Sequence, residues 1–325
     1  MNIIIIILIF VTVLFIYLHV FFHLKTSNDL ELYEFNNISK ERLEEICDLR
    51  QPIKFDYDTD SFKNLMMENI VKNYSSFDIK LRDTSLDNLK SELYLPITLE
   101  KGINVLNNDN NKKFISENNQ EFLEETSLIK SFKTNDEFFR PNMLARQKYD
   151  IIMGSKNSST PLRYNNNYRT YFMVLKGKIK IKLTPPKSNK YIHPINDYDN
   201  YEFRSPLNIW NIQEEYKNDF NKIKCLEITL EPGKAFFIPA YWWYSIKFED
   251  NNTNVINMKY YTYMNLVAIF PSIFISFLQQ QNIKHNVVEN IPDIPNIPNI
   301  PNIPNISNIP NISNIPYTKG DDKTK

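Results

Sequence analysis

Histidine, cysteine and glycine are scarce in this 325-residue chain, with four, two and five copies. Cys47 and Cys225 are too few and too far apart for a disulfide framework or a cysteine-rich zinc site, and they read as two reduced structural thiols. Of the histidines, His19 and His23 lie in or beside an apolar N-terminal run and His285 precedes a repetitive tail, so only His193 is placed to serve a folded site. An excess of charge of either sign is also missing. Lys+Arg and Asp+Glu both number 38, and a net charge of zero points to neither nucleic acid nor an acidic membrane surface as a partner. The heavy use of Asn, Ile, Lys, Tyr and Phe reads as the skew of an AT-rich genome rather than as chemistry. The length suits one large domain with appendages, or two smaller ones.

What the chain does have is one long apolar run. Ile3–Phe22 is nearly uninterrupted, and it matches the ~20 residues that an α-helix needs to cross a hydrocarbon core. A cleaved signal peptide is the competing reading. It is disfavoured because no basic segment precedes the run, the run is longer than ~15 residues, and no small-x-small cleavage site follows. Residues 1–24 are therefore expected to form an uncleaved transmembrane anchor. Lys25, Lys40 and Arg42 lie downstream of it, which places the bulk of a single-pass protein in the cytosol.

Ser39 and Glu41 mark the start of a helix over Lys40–Arg50, and Pro52 ends it. Ile53–Phe55 and Phe77–Leu81 read as strands, while Ser61–Tyr74, Ser85–Glu92 and Glu121–Phe132 read as helices. From Asp150 onward the pattern turns to strands. Tyr168–Leu175 is aromatic and β-branched, Lys176-Gly177 supplies a turn, and Lys178–Leu183 alternates strictly, with Ile179, Ile181 and Leu183 on the inward face. Lys178 and Lys180 should face away. Lys187–Arg204 is an excursion without period, and strands follow over Ile223–Leu230, Ala235–Ile238, Trp242–Phe248 and Val255–Tyr263. Leu266–Leu278 reads as a core or interface helix, with a second membrane contact as the lesser alternative. Asn290–Pro316 repeats Asn/Asp-Ile-Pro/Ser every three residues, a low-complexity pattern that favours an extended, disordered tail.

The segments Gly154–Asn165, Gly177–Pro186 and Pro232–Tyr244 carry a Thr-Pro pair, a turn Gly, a strand ending in Pro-Pro, and Pro-Gly, Ile-Pro and Trp-Trp in one run. This order resembles the cupin-like, JmjC-type family of Fe(II) and 2-oxoglutarate oxygenases, in particular its protein-hydroxylase branch. The resemblance implies a mainly β fold, a double-stranded β-helix (cupin, jelly-roll) over residues 30–265 with helical additions. The chain is expected to close a barrel around the hairpin, followed by a C-terminal helix at 266–288 and the tail at 289–325.

The family's metal site looks like H-x-D with a distal His, a facial triad that leaves positions on Fe(II) open. Here the corresponding residues are Arg163, Asn165 and Tyr244. An arginine offers no lone pair and an asparagine only a weak neutral carbonyl. The family's co-substrate residues correspond to Thr160, which is kept, and to Ile179, where the family has a Lys. Tyr171, Trp242 and Trp243 are the expected pocket lining. His193 with Asp197 or Asp199 is the only other metal-binding pattern, and Glu227 a candidate counter-charge for Arg163.

An arginine turned into a barrel must snorkel out, meet an internal acid or meet an anionic ligand. The resemblance then implies a degenerate member, with no cofactor expected, that acts as a membrane-tethered binding or scaffold module with a protein partner or a small carboxylate at Arg163. The alternatives are an active Fe(II)/2-oxoglutarate hydroxylase with a non-standard metal site, and a structural membrane protein of a virus particle.

Overall fold

The computed structural model describes residues 3–85 and 93–281. Eight strands carry the fold: β1 (Leu144–Gly154), β2 (Arg163–Tyr164), β3 (Arg169–Lys176), β4 (Ile179–Thr184), β5 (Leu226–Leu230), β6 (Lys234–Pro239), β7 (Trp243–Phe248) and β8 (Thr253–Thr262). They distribute over two sheets. The first has the order β6-β3-β8-β1, and the second β2-β7-β4-β5, as a jelly roll requires. Strands from the N-terminal region widen the first sheet to nine strands. Tyr33–Phe35 and Ile53–Asp56 add beyond β6, and Phe114–Ser116, Asp78–Asp83 and Leu95–Thr98 add beyond β1.

The sheets do not close into the expected barrel. Their edges remain separate, because the first sheet is extended on both sides by these added strands instead of pairing with the second. Apolar residues of both sheets meet between them: Phe172 and Val174 of β3 and Phe236 of β6 pack with Ile179, Ile181 and Leu183 of β4 and Trp242, Tyr244 and Ile246. Strand alternation sets this arrangement. In β4 the isoleucines and Leu183 are fully buried, while Lys178 pairs with Glu231 and Lys180 with Glu249 on the outside. The β3–β4 turn rests on Gly177 at φ 79°, a region that disfavours any residue with a Cβ.

A second core lies behind the first sheet, where the N-terminal helices pack on Tyr149, Tyr171, Phe237 and Tyr260. Ser39 caps the helix Lys40–Asp48 by accepting from Arg42 N–H at 3.3 Å. Three of the expected helices are divided, and Leu266–Leu278 falls on Tyr263–Ala268 and Phe270–Gln281. Ser61–Tyr74 becomes the 3-10 turn Thr59–Leu65 and the helix Met67–Tyr74, since Met66 is extended at ψ 139°. Glu121–Phe132 is broken at Ser127, whose φ is 59°, into Gln120–Glu125 and Ile129–Asn135. The excursion after β4 contains a hairpin, Ile195–Asp197 with Glu202–Arg204, that pairs with β2. The expected helix Ser85–Glu92 and the repeat tail lie outside the described residues.

Ile3–Leu24 is one helix of 22 residues, long and apolar enough to cross a membrane, and its apolar stretch is not buried in the protein. Only its last turn docks on the domain. His23 contacts Thr262 Oγ1 at 3.2 Å, and Arg50 lies 5.1 Å from the Phe22 ring and 4.9 Å from that of Tyr168. The helix Tyr263–Ala268 lies next to this end, and Phe270–Gln281 follows it in the chain. The first exposes Tyr263 and Val267, and the second Phe270, Phe274, Ile275, Phe277 and Leu278.

Candidate functional site

β2 is only two residues long, yet it sits between the excursion hairpin and β7, with Arg163 in register with Tyr244. Arg163 and Asn165 are two residues apart on this extended segment, and both line one cavity with Tyr244. The three positions of the resemblance are therefore brought together. Asn165 donates its Nδ2–H to the Tyr244 hydroxyl at 2.8 Å, and the Arg163 guanidinium lies 5.8 Å from the Tyr244 ring.

The cationic group has two internal acids as partners. Arg163 Nη1 donates to Glu117 at 2.8 Å and to Glu202 at 2.9 Å, and its Nη2 donates to the other Glu117 oxygen. Arg82 completes the cluster. Its guanidinium is fully buried and donates to Glu117 at 3.0 Å and to both oxygens of Glu202 at 2.8 and 3.0 Å. The Tyr94 hydroxyl adds a further bond to Glu117 at 3.1 Å. Two arginines and two glutamates thus form a neutral buried quartet. Burial alone would raise both carboxyls, but Arg163 beside Glu117 and Arg82 beside Glu202 hold them below the usual carboxylate range. Burial also disfavours the charge of Arg163, and Glu117 more than restores it.

The quartet bears directly on the metal and ligand expectations. Its Arg163 carries no lone pair, while Asn165 and Tyr244 are engaged with each other, so the donor set at these positions does not fit Fe(II). Among the described residues no group of three or more His, Cys, Asp or Glu is placed to hold a metal. Glu117 takes the place beside Arg163 that a small carboxylate would occupy. Glu227 is not the counter-charge, because it points outward and approaches Lys180 at 3.7 Å.

The remaining expected residues are dispersed. Thr160 accepts from the backbone N–H of Ile246 at 2.9 Å, and Ile179 is packed in the apolar layer between the sheets. Tyr171 does not line the cavity. It belongs to the opposite face of β3, where its hydroxyl meets Cys47 Sγ at 3.5 Å, and its neighbour Phe172 lines the cavity instead. Trp242 packs between the sheets, and Trp243 packs beneath the excursion with Leu162 and Ile209, so neither is part of the lining. His193 bonds Asp219 at 2.9 Å on the surface, Asp197 pairs with Arg204 at 2.7 Å, and Asp199 is exposed, so these three make no common site.

The cavity measures about 170 Å³. Beyond the triad positions, β1 contributes Lys148 and Asp150 to its wall, and β8 contributes Asn257, Lys259 and Tyr261. Asp150 accepts the backbone N–H groups of Asn118 and Asn119, both at 2.7 Å, yet burial pushes its carboxyl up to about 6. Arg82, Glu117, Glu202, Lys148 and Lys259 were missed from sequence. Period-2 facing could have flagged the two lysines, but no sequence signal joins the two glutamates to Arg163.

Residues 36–265 match the family described as Cupin-like domain. HSPB1-associated protein 1 of Homo sapiens is 26% identical over 137 residues, which are 42% of this chain and 28% of that protein. Its counterpart in Rattus norvegicus is 25% identical over 112 residues, 34% of this chain and 23% of that protein. HSPB1-associated protein 1 homolog of Danio rerio is 20% identical over 108 residues, 33% and 24% of the two chains. The alignments thus span less than a third of these relatives. With the jelly-roll strand order and a family match over most of its length, the chain belongs to the cupin-like, JmjC-type family through residues 36–265.

Proposed function

We propose that this protein is a membrane-anchored, catalytically silent cupin-like domain that acts as a binding or scaffold module. The observation that carries the reading is the quartet. Where the family's chemistry calls for lone-pair donors around an iron, Arg163 is fixed by Glu117 and Glu202, and Asn165 is bonded to Tyr244. The apolar layer around Ile179 supports it further, since no cation stands at that position to hold a dicarboxylate co-substrate. The anchoring half rests on the apolar Ile3–Leu24 helix, with the bulk of the chain on the cytosolic side, and on the exposed apolar side chains Tyr263 and Val267 of the helix beside it. The relatives' name describes them as associated with another protein, and a protein partner is the occupant proposed for this chain as well.

The test is the metal content of the full-length protein, purified in detergent and reconstituted with Fe(II), together with succinate formation from 2-oxoglutarate. Substoichiometric metal and no succinate above a heat-inactivated control are expected. Stoichiometric iron with turnover overturns the reading in favour of a hydroxylase with a non-standard site.

A further inference from the structure

Two lysines of the cavity wall form no ion pair with the quartet, and Lys259 acts on Glu117 only from a distance. Lys148 on β1 and Lys259 on β8 are direct cross-strand partners, and both lie in the cavity lining. Facing is set by alternation: Tyr149 and Ile151 of β1, and Met258 and Tyr260 of β8, point into the core behind the sheet, which turns the lysines to the cavity side. Residues opposed in this way have Cβ atoms ~5 Å apart, so two flexible ammonium groups can converge on one ligand.

Like charges directly opposed on a sheet are unfavourable unless something of opposite charge lies between them. Among the described residues no carboxylate lies within ion-pair distance of either ammonium group. The acids nearby are already committed. Asp150 accepts two backbone N–H groups, and Glu117 and Glu202 are balanced by Arg82 and Arg163. The site therefore holds more positive charge than its own acids offset. Burial and the neighbouring Arg146 and Lys259 push Lys148 down to about 8, and burial with Arg163 pushes Lys259 down too, which is the strain that a bound anion would relieve.

We propose that Lys148 and Lys259 form the binding site for a small oxyanion, a carboxylate- or phosphate-bearing molecule held in the cavity beside Tyr244. A cavity of about 170 Å³ is comparable with one that admits a benzene-sized guest of ~150 Å³, which sets the scale at inorganic phosphate or a short polycarboxylate. Tyr244 accepts from Asn165 and keeps its own hydroxyl proton to donate toward such a ligand. This goes beyond the reading above. It requires neither a metal nor turnover, and it moves anion binding from Arg163 to a different pair of residues.

The test is thermal unfolding and titration calorimetry of the full-length protein in detergent, with EDTA present and ionic strength held constant with chloride. Inorganic phosphate, malonate and citrate are the probes. A saturable stabilisation by phosphate, or by one of the carboxylates, is expected, and the arm that responds identifies the source of the oxyanion. Lys259→Met is expected to weaken that binding about tenfold or more, from the loss of a charge-assisted bond. Lys148→Met/Lys259→Met is expected to abolish it while unfolding no earlier than the unliganded parent, because a repulsion has been removed. The absence of saturable stabilisation by all three probes overturns the proposal, as does stabilisation that survives in the double variant. Because EDTA removes metal chemistry, neither result depends on whether the protein is catalytically silent.

Discussion

Arg163→Met removes one cation from the quartet and retains most of the side chain's volume. Glu117 then keeps only Arg82, and Glu202 keeps Arg82 with Arg204 at 3.4 Å, in a cluster whose side chains are between 0% and 10% exposed. Removing one member of a buried ion pair typically costs 3–5 kcal/mol, since a charge is left without compensation. Here Arg82 still bonds both acids, so the lower end applies, about 3 kcal/mol. For a domain of 150–250 residues each kcal/mol moves Tm by ~2–4 °C, which gives a fall of roughly 6–12 °C. Thermal unfolding of the full-length protein in detergent, followed by tryptophan fluorescence at pH 7, reads this directly. Arg163→Met/Glu117→Gln restores neutrality and is expected to recover to within ~1 kcal/mol of the parent. The pH dependence supplies a check of sign. Glu117 and Glu202 are held low in the fold, so the stability they contribute is present above their unfolded values near 4.5 and is lost as pH falls through the folded ones. In the single variant their uncompensated charge is relieved by protonation, so its deficit relative to the parent narrows from pH 7 to pH 4. A variant that melts within 1 °C of the parent at pH 7, or a double variant no better than the single one, would refute the assignment of Arg163 to an internal pair.

Arg163→His/Asn165→Asp/Tyr244→His places two imidazoles and a carboxylate at three positions already adjacent in the cavity, and it is expected to bind Co(II) measurably by calorimetry where the parent binds none; no heat above the parent would show that the frame of the site has not survived. Ile7→Arg/Phe15→Arg introduces two charges that each cost ~3 kcal/mol at a bilayer centre, so the variant should be lost from the alkaline-carbonate membrane pellet while the parent is retained. Equal retention of both counts against the Ile3–Leu24 helix as the anchor. Gly177→Ala forces a Cβ into a φ of 79° and to 2.6 Å from Thr253 Oγ1, and a loss of about 1–3 kcal/mol is expected from denaturant unfolding. An unchanged midpoint would show that the β3–β4 turn adopts another conformation.

The order of strands was legible because it is written in local chemistry. Alternation over Ile179–Leu183, the Gly177 turn, the Pro-Pro stop and the Trp-Trp run identify elements and faces without any knowledge of their partners. The same period of two placed Arg163 and Asn165 together on the inward side, and the structure brings both to one cavity with Tyr244. Side-chain chemistry alone then shows that these three are poor ligands for iron.

Other features arise only from tertiary contact. Glu117 is 46 residues from Arg163, in a stretch to which the sequence assigns no element, and Glu202 is 39 residues away in the aperiodic excursion. Their pairing depends on the excursion folding into a hairpin against β2, and on the N-terminal strands lengthening the first sheet. That lengthening also keeps the sheets open instead of letting them close as a barrel. The breaks at Met66 and Ser127 were hidden too, since helical spacing persists across a backbone kink. Lys148 and Lys259 become a pair through the β1–β8 register alone. The sequence by itself determined that Arg163 and Asn165, poor donors to iron, share one side of their strand, through residue identity and strand period. Only the folded chain decided which acids meet Arg163, because a charge buried between sheets is balanced by whichever distant groups the register brings within hydrogen-bond reach.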